Sequence, residues 1–163
     1  MVTYLQNWKN AHQLEILIFG IVVILFFGIA LKQKCPEKQY KRYGIISSFL
    51  YVVIVFYATI LSRESNKVFT HNHKIFWSYK LALKDTAYLS EIGLNILLFV
   101  PLGIFWASLL EKRKKCLYVV IIVVGGSISA CIEILQYNLK CGFSEVDDVI
   151  SNLLGIVIGI VMW

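Results

Sequence analysis

The stretch Val119-Val-Ile-Ile-Val-Val-Gly-Gly-Ser-Ile-Ser-Ala-Cys-Ile-Glu-Ile-Leu-Gln136 decides the fold, because it carries polar residues inside a segment apolar enough to cross a membrane. Its small and polar residues recur every three or four positions, which places them on one face of a helix. These residues are Gly126, Ser129, Glu133 and Gln136. We therefore predict an apolar helix with a single small or polar stripe.

A second stretch near the end of the chain has the same spacing. Its small and polar residues are Asp148, Asn152, Gly155 and Gly159. Only a short connection, residues 137–147, joins the two stretches, so the helices should pack antiparallel with their polar ends together. Gly155 and Gly159 form a small-xxx-small pair, which favours close packing between membrane helices.

The composition indicates a membrane protein. Of the 163 residues, 58% are apolar, and the mean hydropathy is +0.71, whereas soluble domains are typically about 45–50% apolar. Five segments approach the roughly 20 apolar residues that span a bilayer. They are residues 14–31, 44–61, 93–110, 117–136 and 149–163. We predict an all-α bundle of five transmembrane helices that forms one domain over residues 1–163.

Basic clusters set the predicted orientation. Lysine and arginine concentrate at residues 32–42 and again at residues 112–115, so both of these loops should be cytoplasmic. The N-terminus and the loops at 62–91 and 137–148 then lie outside, and the C-terminus lies inside. The formal net charge of +6 is explained by topology and by contact with anionic lipids, so nucleic-acid binding is not expected. The aromatic part of the long 62–91 loop should lie at the membrane interface.

Polar side chains from three predicted spans should meet at one depth, just below the outer surface of the membrane. Counting about 20 residues from Leu117 places Gln136 near the outer boundary and Glu133 about 5 Å deeper. A carboxylate at that depth needs a proton or a basic partner, such as Arg63 or Lys140. The predicted ligand-binding residues are Arg63, Asn95, Glu133, Gln136, Asp147, Asp148 and Asn152. No cofactor and no metal site is expected, since the four cysteines show neither disulfide nor metal-ligand spacing.

Three segments together resemble the VanZ-like membrane protein family. They are Asn95-Ile-Leu-Leu-Phe-Val-Pro-Leu-Gly103, Ser129-Ala-Cys-Ile-Glu-Ile-Leu-Gln136 and Val146-Asp-Asp-Val-Ile-Ser-Asn-Leu-Leu-Gly155. Arg63 and the stretch Ile75-Phe-Trp-Ser-Tyr79 are also similar to their counterparts in that family. The resemblance implies a multi-pass protein of the bacterial cell membrane, in a family whose founding member lowers susceptibility to teicoplanin. Members often carry an arginine before the paired aspartates, where this chain has Lys140-Cys-Gly-Phe-Ser144.

Three functions fit these residues. The first is a binding module without catalytic residues, in which an outward-facing pocket holds the head group of a membrane lipid or a lipid-linked cell-wall precursor. The second is an intramembrane enzyme, in which Glu133 and Asp148 form an acid/base pair or hold a divalent cation together with Asp147. The third is a small transporter or flippase that uses Glu133. A chain of this size can also pair with a second copy, although no dimer face is evident.

Overall fold

The computed structural model describes residues 36–61, 70–72, 74–110, 116–141 and 143–163. The chain divides into two compact units, Met1–Arg63 and Glu64–Trp163. The predicted first span at residues 14–31 lies outside the described residues, and the prediction of a single domain stays a prediction.

In the first unit, helix α1 covers Glu37–Phe56 and continues as a π-helical segment over Tyr57–Leu61. A stripe of buried residues runs along α1 with helical spacing, which gives the helix one covered face. This stripe consists of Tyr40, Gly44, Ser48, Tyr51 and Val55. The hydroxyl of Ser48 donates to the carbonyl oxygen of Gly44 at 2.9 Å, so this buried serine is satisfied within its own helix.

The described residues of the second unit form four helices and two short strands. In chain order they are β1 (Thr70–Asn72), α2 (Trp77–Ala82), α3 (Thr86–Leu109), α4 (Cys116–Leu139), β2 (Phe143–Glu145) and α5 (Val146–Met162). The strands pair in parallel, with Thr70 opposite Phe143 and Asn72 opposite Glu145. This pairing brings the segment before α2 next to the connection between α4 and α5.

The described residues are mostly helical, as the sequence predicts, and the structure adds two short strands and shifts the predicted boundaries. The predicted 62–91 loop includes β1, α2 and the first turn of α3, and the predicted 137–148 connection includes β2 and the start of α5. Apolar length marks the part of a helix that suits hydrocarbon, whereas the helix itself continues until its backbone groups are capped. At the start of α3, for example, the Asp85 carboxylate accepts a hydrogen bond from the Ala87 N–H at 2.9 Å.

Three of the described helices are long and apolar enough to cross a membrane, judged by length and composition. They are Glu37–Leu61, Thr86–Leu109 and Cys116–Leu139. Helix α5 is shorter, at 17 residues, and extends about 25 Å. These findings fit a membrane protein, while the number of five spans and their orientation stay predictions.

Helices α3 and α5 pack backbone to backbone through glycines. A methyl group added at Gly155 would overlap the carbonyl oxygen of Ile96, and one added at Gly159 would overlap that of Val100. On the facing helix, Gly103 lies against the backbone of α5 in the same way. The contacts advance in the same direction along both helices, so α3 and α5 run parallel at the short separation that small residues allow.

Helix α4 packs against α5 in the opposite direction, as the sequence predicts. Gly125 of α4 faces the side chain of Ile156, and Gly126, one residue later, faces that of Leu153, which lies earlier in α5. The polar stripes of the two helices therefore approach each other at the end where β2 connects them.

The substitution Gly155→Ala tests the close packing of α3 and α5. The new methyl group would overlap a backbone carbonyl oxygen, which cannot move away as a flexible side chain can. We expect a loss of roughly 2 kcal/mol in the free energy of unfolding, within the range for overpacked cores. Thermal unfolding of the purified protein in detergent micelles measures this loss.

Gly93→Ala is the matched control, because Gly93 also lies in α3 but has no described atom within 4 Å of an added methyl group. Its stability should be unchanged or up to about 1 kcal/mol higher, owing to the better helix propensity of alanine. Equal stability of the two variants would show that α3 and α5 do not pack through Gly155.

Candidate functional site

Asp147, in the first turn of α5, is a buried carboxylate that holds the start of α2. Its side chain is only 1% exposed. One oxygen, Oδ1, accepts the Phe76 N–H at 2.6 Å, and Oδ2 accepts both the N–H and the hydroxyl of Ser78 at 2.8 and 2.7 Å. Three donors, two of them backbone groups, therefore surround one carboxylate and satisfy both of its oxygens.

The local backbone at Phe76 makes this arrangement possible. Phe76 has a φ of 62°, which is the left-handed region that non-glycine residues rarely adopt. This turn directs the N–H groups of residues 76 and 78 to one point, where together they form a concave site for an anion. The contacts with Asp147 offset the cost of the strained turn.

Two further contacts attach α2 to α5 and β2. The Tyr79 hydroxyl lies 2.8 Å from the Ser151 hydroxyl, which itself donates to the backbone oxygen of Asp147. Because a serine hydroxyl has one hydrogen, Tyr79 is the donor in its contact with Ser151. The indole N–H of Trp77 donates to a carboxylate oxygen of Glu145 at 3.3 Å. The inner face of the segment is thus bound by side chains at three successive positions.

Glu133 of α4 fixes the strand β2. Its carboxylate oxygen Oε2 accepts the N–H of Glu145 at 2.9 Å, and its backbone oxygen accepts the hydroxyl of Ser144 at 3.1 Å. Glu133 is buried, and its carboxylate lies where the chain turns from α4 back into α5. One described role of this acidic residue is therefore to cap the connection between the two helices.

Between α4 and α5, the buried polar residues form a continuous surface that we call the polar seam. Its members are Ser129, Glu133, Gln136 and Asn152. The side-chain N–H of Asn152 donates to the Ser129 hydroxyl oxygen at 2.8 Å. The other side-chain atom, Asn152 Oδ1, is buried and has no hydrogen-bond partner among the described residues. Burying an acceptor without a hydrogen bond costs about 1–3 kcal/mol of folding free energy. The polar seam therefore has an open position for a hydrogen-bond donor.

The predicted ligand-binding residues differ in how deeply the structure buries them. It buries Glu133, Gln136, Asp147 and Asn152 and leaves Asn95 and Asp148 half-buried. Arg63 lies outside the described residues. Whether these residues bind a ligand stays a prediction, but the described contacts of Asp147 are with protein donors and are structural.

Other predicted features occupy clear positions. Asn95 precedes Ile96, whose carbonyl oxygen faces Gly155, so Asn95 lies close to the α3–α5 contact. Lys140, predicted as one basic partner for Glu133, is exposed and has a left-handed backbone with a φ of 52°. Among the described residues, no group of three or more His, Cys, Asp or Glu side chains could hold a metal ion.

Sequence reasoning missed the roles of Ser78, Glu145 and Ser151. Ser78 and Ser151 are ordinary residues in the sequence, and their partners lie 69 and 72 residues away along the chain. No local pattern signals such contacts. One signal was present at the start of α5, where Asp147 and Asp148 are adjacent. Neighbouring residues of a helix face different directions, so the two aspartates should have different partners.

Glu145 lies outside the predicted spans, and the pKa of its carboxyl is shifted from the ordinary value. Partial burial raises the pKa of its carboxyl above the ordinary value of 4.5, and the nearby carboxylates of Glu91 and Asp147 raise it further. The hydrogen bond from Trp77 acts in the opposite direction. The carboxyl thus gains protons more readily in the folded protein than in the unfolded chain.

Comparison with known proteins supports the resemblance noted in the sequence. A family model described as VanZ/LLP1 matches residues 16–163, which is nearly the whole chain. The match confirms the resemblance and extends it to the first predicted span. Comparisons with curated proteins and with solved structures gave no match.

The substitution Asp147→Asn tests the attachment of the start of α2 to α5. It replaces one accepting oxygen by an amide donor, which faces donors of residues 76 and 78. We expect the free energy of unfolding to fall by roughly 3 kcal/mol, since bonds to a buried charge are lost and a donor stays unpaired. Hydrogen exchange, followed by mass spectrometry, should become faster across residues 74–82.

Ser78→Ala is the graded control, because it removes one of the three hydrogen bonds and leaves both backbone donors with their acceptor. Its cost should be about 1 kcal/mol. If residues 74–82 exchange at the wild-type rate in Asp147→Asn, the carboxylate does not hold this segment.

The substitution Glu145→Gln tests the raised pKa. A carboxyl whose pKa is higher in the folded state contributes stability below its unfolded value near 4.5, and this contribution is lost as the pH rises through the folded pKa. We therefore expect the variant to melt at a higher temperature than the wild type at pH 8 and at a similar temperature at pH 4. A melting difference independent of pH would assign the effect to packing instead of charge.

Proposed function

We propose a lipid-binding function for this chain, which belongs to the VanZ/LLP1 family. In this proposal the protein is a five-span protein of the bacterial cell membrane, with its N-terminus outside and its C-terminus in the cytoplasm. Its polar seam opens to the outer side of the membrane and binds the head group of a membrane lipid or lipid-linked cell-wall precursor. Binding lowers susceptibility to teicoplanin-type glycopeptides by changing the cell surface that they recognise.

The observation that carries the proposal is the buried oxygen of Asn152. The residue is 4% exposed, and its Oδ1 atom has no hydrogen-bond partner within the described part of the chain. A hydroxyl or amide N–H of a head group would supply the missing donor and recover the cost of burying the acceptor. Sugars and peptides, the polar parts of wall precursors, carry such donors.

The surroundings of Asn152 suit a head group that enters from the lipid. Ser129 orients the Asn152 amide at 2.8 Å, so its oxygen has a defined position. Glu133 and Gln136 lie on the same face of α4, towards the end of the helix. A ligand at Asn152 would therefore meet further hydrogen-bonding groups on its way to the surface, while its apolar chain lies along the exposed apolar faces of the helices.

The segment around α2 would close the site at its polar end. Asp147 and Ser151 hold this segment on α5 through Ser78 and Tyr79. Its attachment is independent of Asn152, so the segment can be in place before a ligand binds. A preformed cover reduces the entropy lost on binding.

The substitution Asn152→Leu tests the proposed acceptor. It keeps a similar volume but removes the oxygen, so we expect it to abolish both lipid co-purification and the change in teicoplanin susceptibility. The readouts are mass spectrometry of lipids retained by the purified protein and the inhibitory concentration for a sensitive bacterial host that expresses it. An enriched isoprenoid-phosphate or wall-precursor species in the wild type would identify the ligand.

Ser129→Ala is the matched control, because it removes the same hydrogen bond within the protein and leaves the Asn152 oxygen. It should weaken lipid retention less than Asn152→Leu does. Equal retention by the wild type and Asn152→Leu, with both proteins in the membrane, would refute the proposed site.

Glu133→Gln and Asp148→Asn separate binding from catalysis. The glutamine side-chain oxygen can still accept the Glu145 N–H that Glu133 accepts, so the fold should persist. Binding through neutral hydrogen bonds should survive these changes, whereas proton transfer or cation binding should not. If a chemically altered lipid is present with the wild type and absent with Glu133→Gln, the protein is an enzyme and not only a binding protein.

A further inference from the structure

The segment of residues 74–84, which contains α2, presents a surface of exposed apolar and basic side chains. Its inner side chains Trp77, Ser78 and Tyr79 contact α5 and β2, as described above. Its outer apolar residues are exposed, with Leu83 at 89%, Ile75 at 59% and Phe76 at 52%. The segment therefore has one face bound to the protein and another that offers apolar surface to the surroundings.

Basic residues accompany the exposed apolar side chains. Lys74, Lys80 and Lys84 are all exposed, and the stretch from 74 to 84 contains no acidic residue. Asp85 follows, but its carboxylate caps α3 through the Ala87 N–H. The face thus combines three positive charges with three large apolar side chains over 11 residues.

The segment lies next to the start of a candidate membrane span, so it should meet the membrane interface. Its last residue lies two positions before Thr86, where the candidate membrane span Thr86–Leu109 begins. A short segment at the end of a spanning helix lies at the boundary between water and hydrocarbon. Apolar side chains enter that boundary region, while lysines extend to the phosphates of the head groups.

We infer that residues 74–84 bind anionic phospholipid head groups in the leaflet at the α2 end of α3. Leu83, Ile75 and Phe76 enter the acyl boundary, and Lys80 and Lys84 contact the phosphates. The charge supports this choice of lipid, because lysines are attracted to the phosphates of an anionic surface, and this attraction is far weaker at a zwitterionic one. This surface is distinct from the polar seam, and the inference does not rest on the proposed ligand.

The hydrogen bonds to Asp147 set the orientation of this lipid surface. They hold the backbone at Phe76 and Ser78, so the side chains on the opposite face must point away from α5. The aromatic ring of Phe76 packs edge-on to that of Tyr79, with the ring centres 5.8 Å apart. The apolar side chains therefore need not rearrange when the segment meets lipid.

Photo-crosslinking in nanodiscs tests the inference with the full chain. The photoreactive residue p-benzoylphenylalanine replaces Leu83, and the discs contain equal amounts of phosphatidylglycerol and phosphatidylcholine. We expect lipid adducts at this position, with phosphatidylglycerol exceeding phosphatidylcholine by roughly tenfold. In the Lys80→Gln, Lys84→Gln double variant, the adducts should persist while the preference falls to near one.

A second labelled position shows that each protein is correctly inserted. The same photoreactive residue in place of Val123, an exposed residue of the candidate span Cys116–Leu139, should give lipid adducts in both backgrounds. Lipid adducts at 123 without any at 83 would overturn the inference. So would crosslinks from 83 to a second protein chain, or a preference for phosphatidylglycerol that the double variant retains.

Discussion

The second unit depends on the hydrogen bonds that the buried carboxylate of Asp147 accepts. A charge with an exposed fraction of only 1% is stable only if it is well supplied with hydrogen-bond donors. The chain supplies them from residues 76 and 78, about 70 positions earlier in the sequence, through two backbone N–H groups and one hydroxyl. This requirement brings the segment before α3 onto the start of α5 and determines how the segment is oriented.

Two other constraints place α5. On one side, Gly155 and Gly159 bring its backbone against that of α3, where no larger side chain fits. On the other side, Asn152 bonds to Ser129 of α4. Because an apolar surrounding gives little directional preference, the close glycine contact and the buried hydrogen bond together determine the rotation and depth of this short helix. Asn152 of α5 consequently faces α4 and not the surroundings.

This arrangement separates structural polar groups from available ones. Asp147, Ser151 and Ser78 are occupied by one another, and Glu133 holds the backbone of Glu145. In contrast, Asn152 Oδ1 is buried without a partner in the described residues, which makes it the natural contact for a ligand. Outside this network, residues 74–84 expose lysines and apolar side chains. A head-group site and a lipid-facing surface would then lie in one unit and use different chemistry.

The amino-acid sequence by itself determined the long apolar helices and the polar stripes on α4 and α5, because helical spacing and apolar length are local properties. It also predicted the antiparallel packing of α4 and α5. It placed Glu133, Gln136 and Asn152 at one depth in the membrane, which stays a prediction, whereas their burial within the protein came from the structure. Only the tertiary structure decided that β1 pairs with β2, that Phe76 adopts a left-handed turn and that Asp147, not its neighbour Asp148, is the buried anchor. These features depend on contacts between distant parts of the chain, and the donors at residues 76 and 78 include backbone groups, which are the same for nearly every residue type.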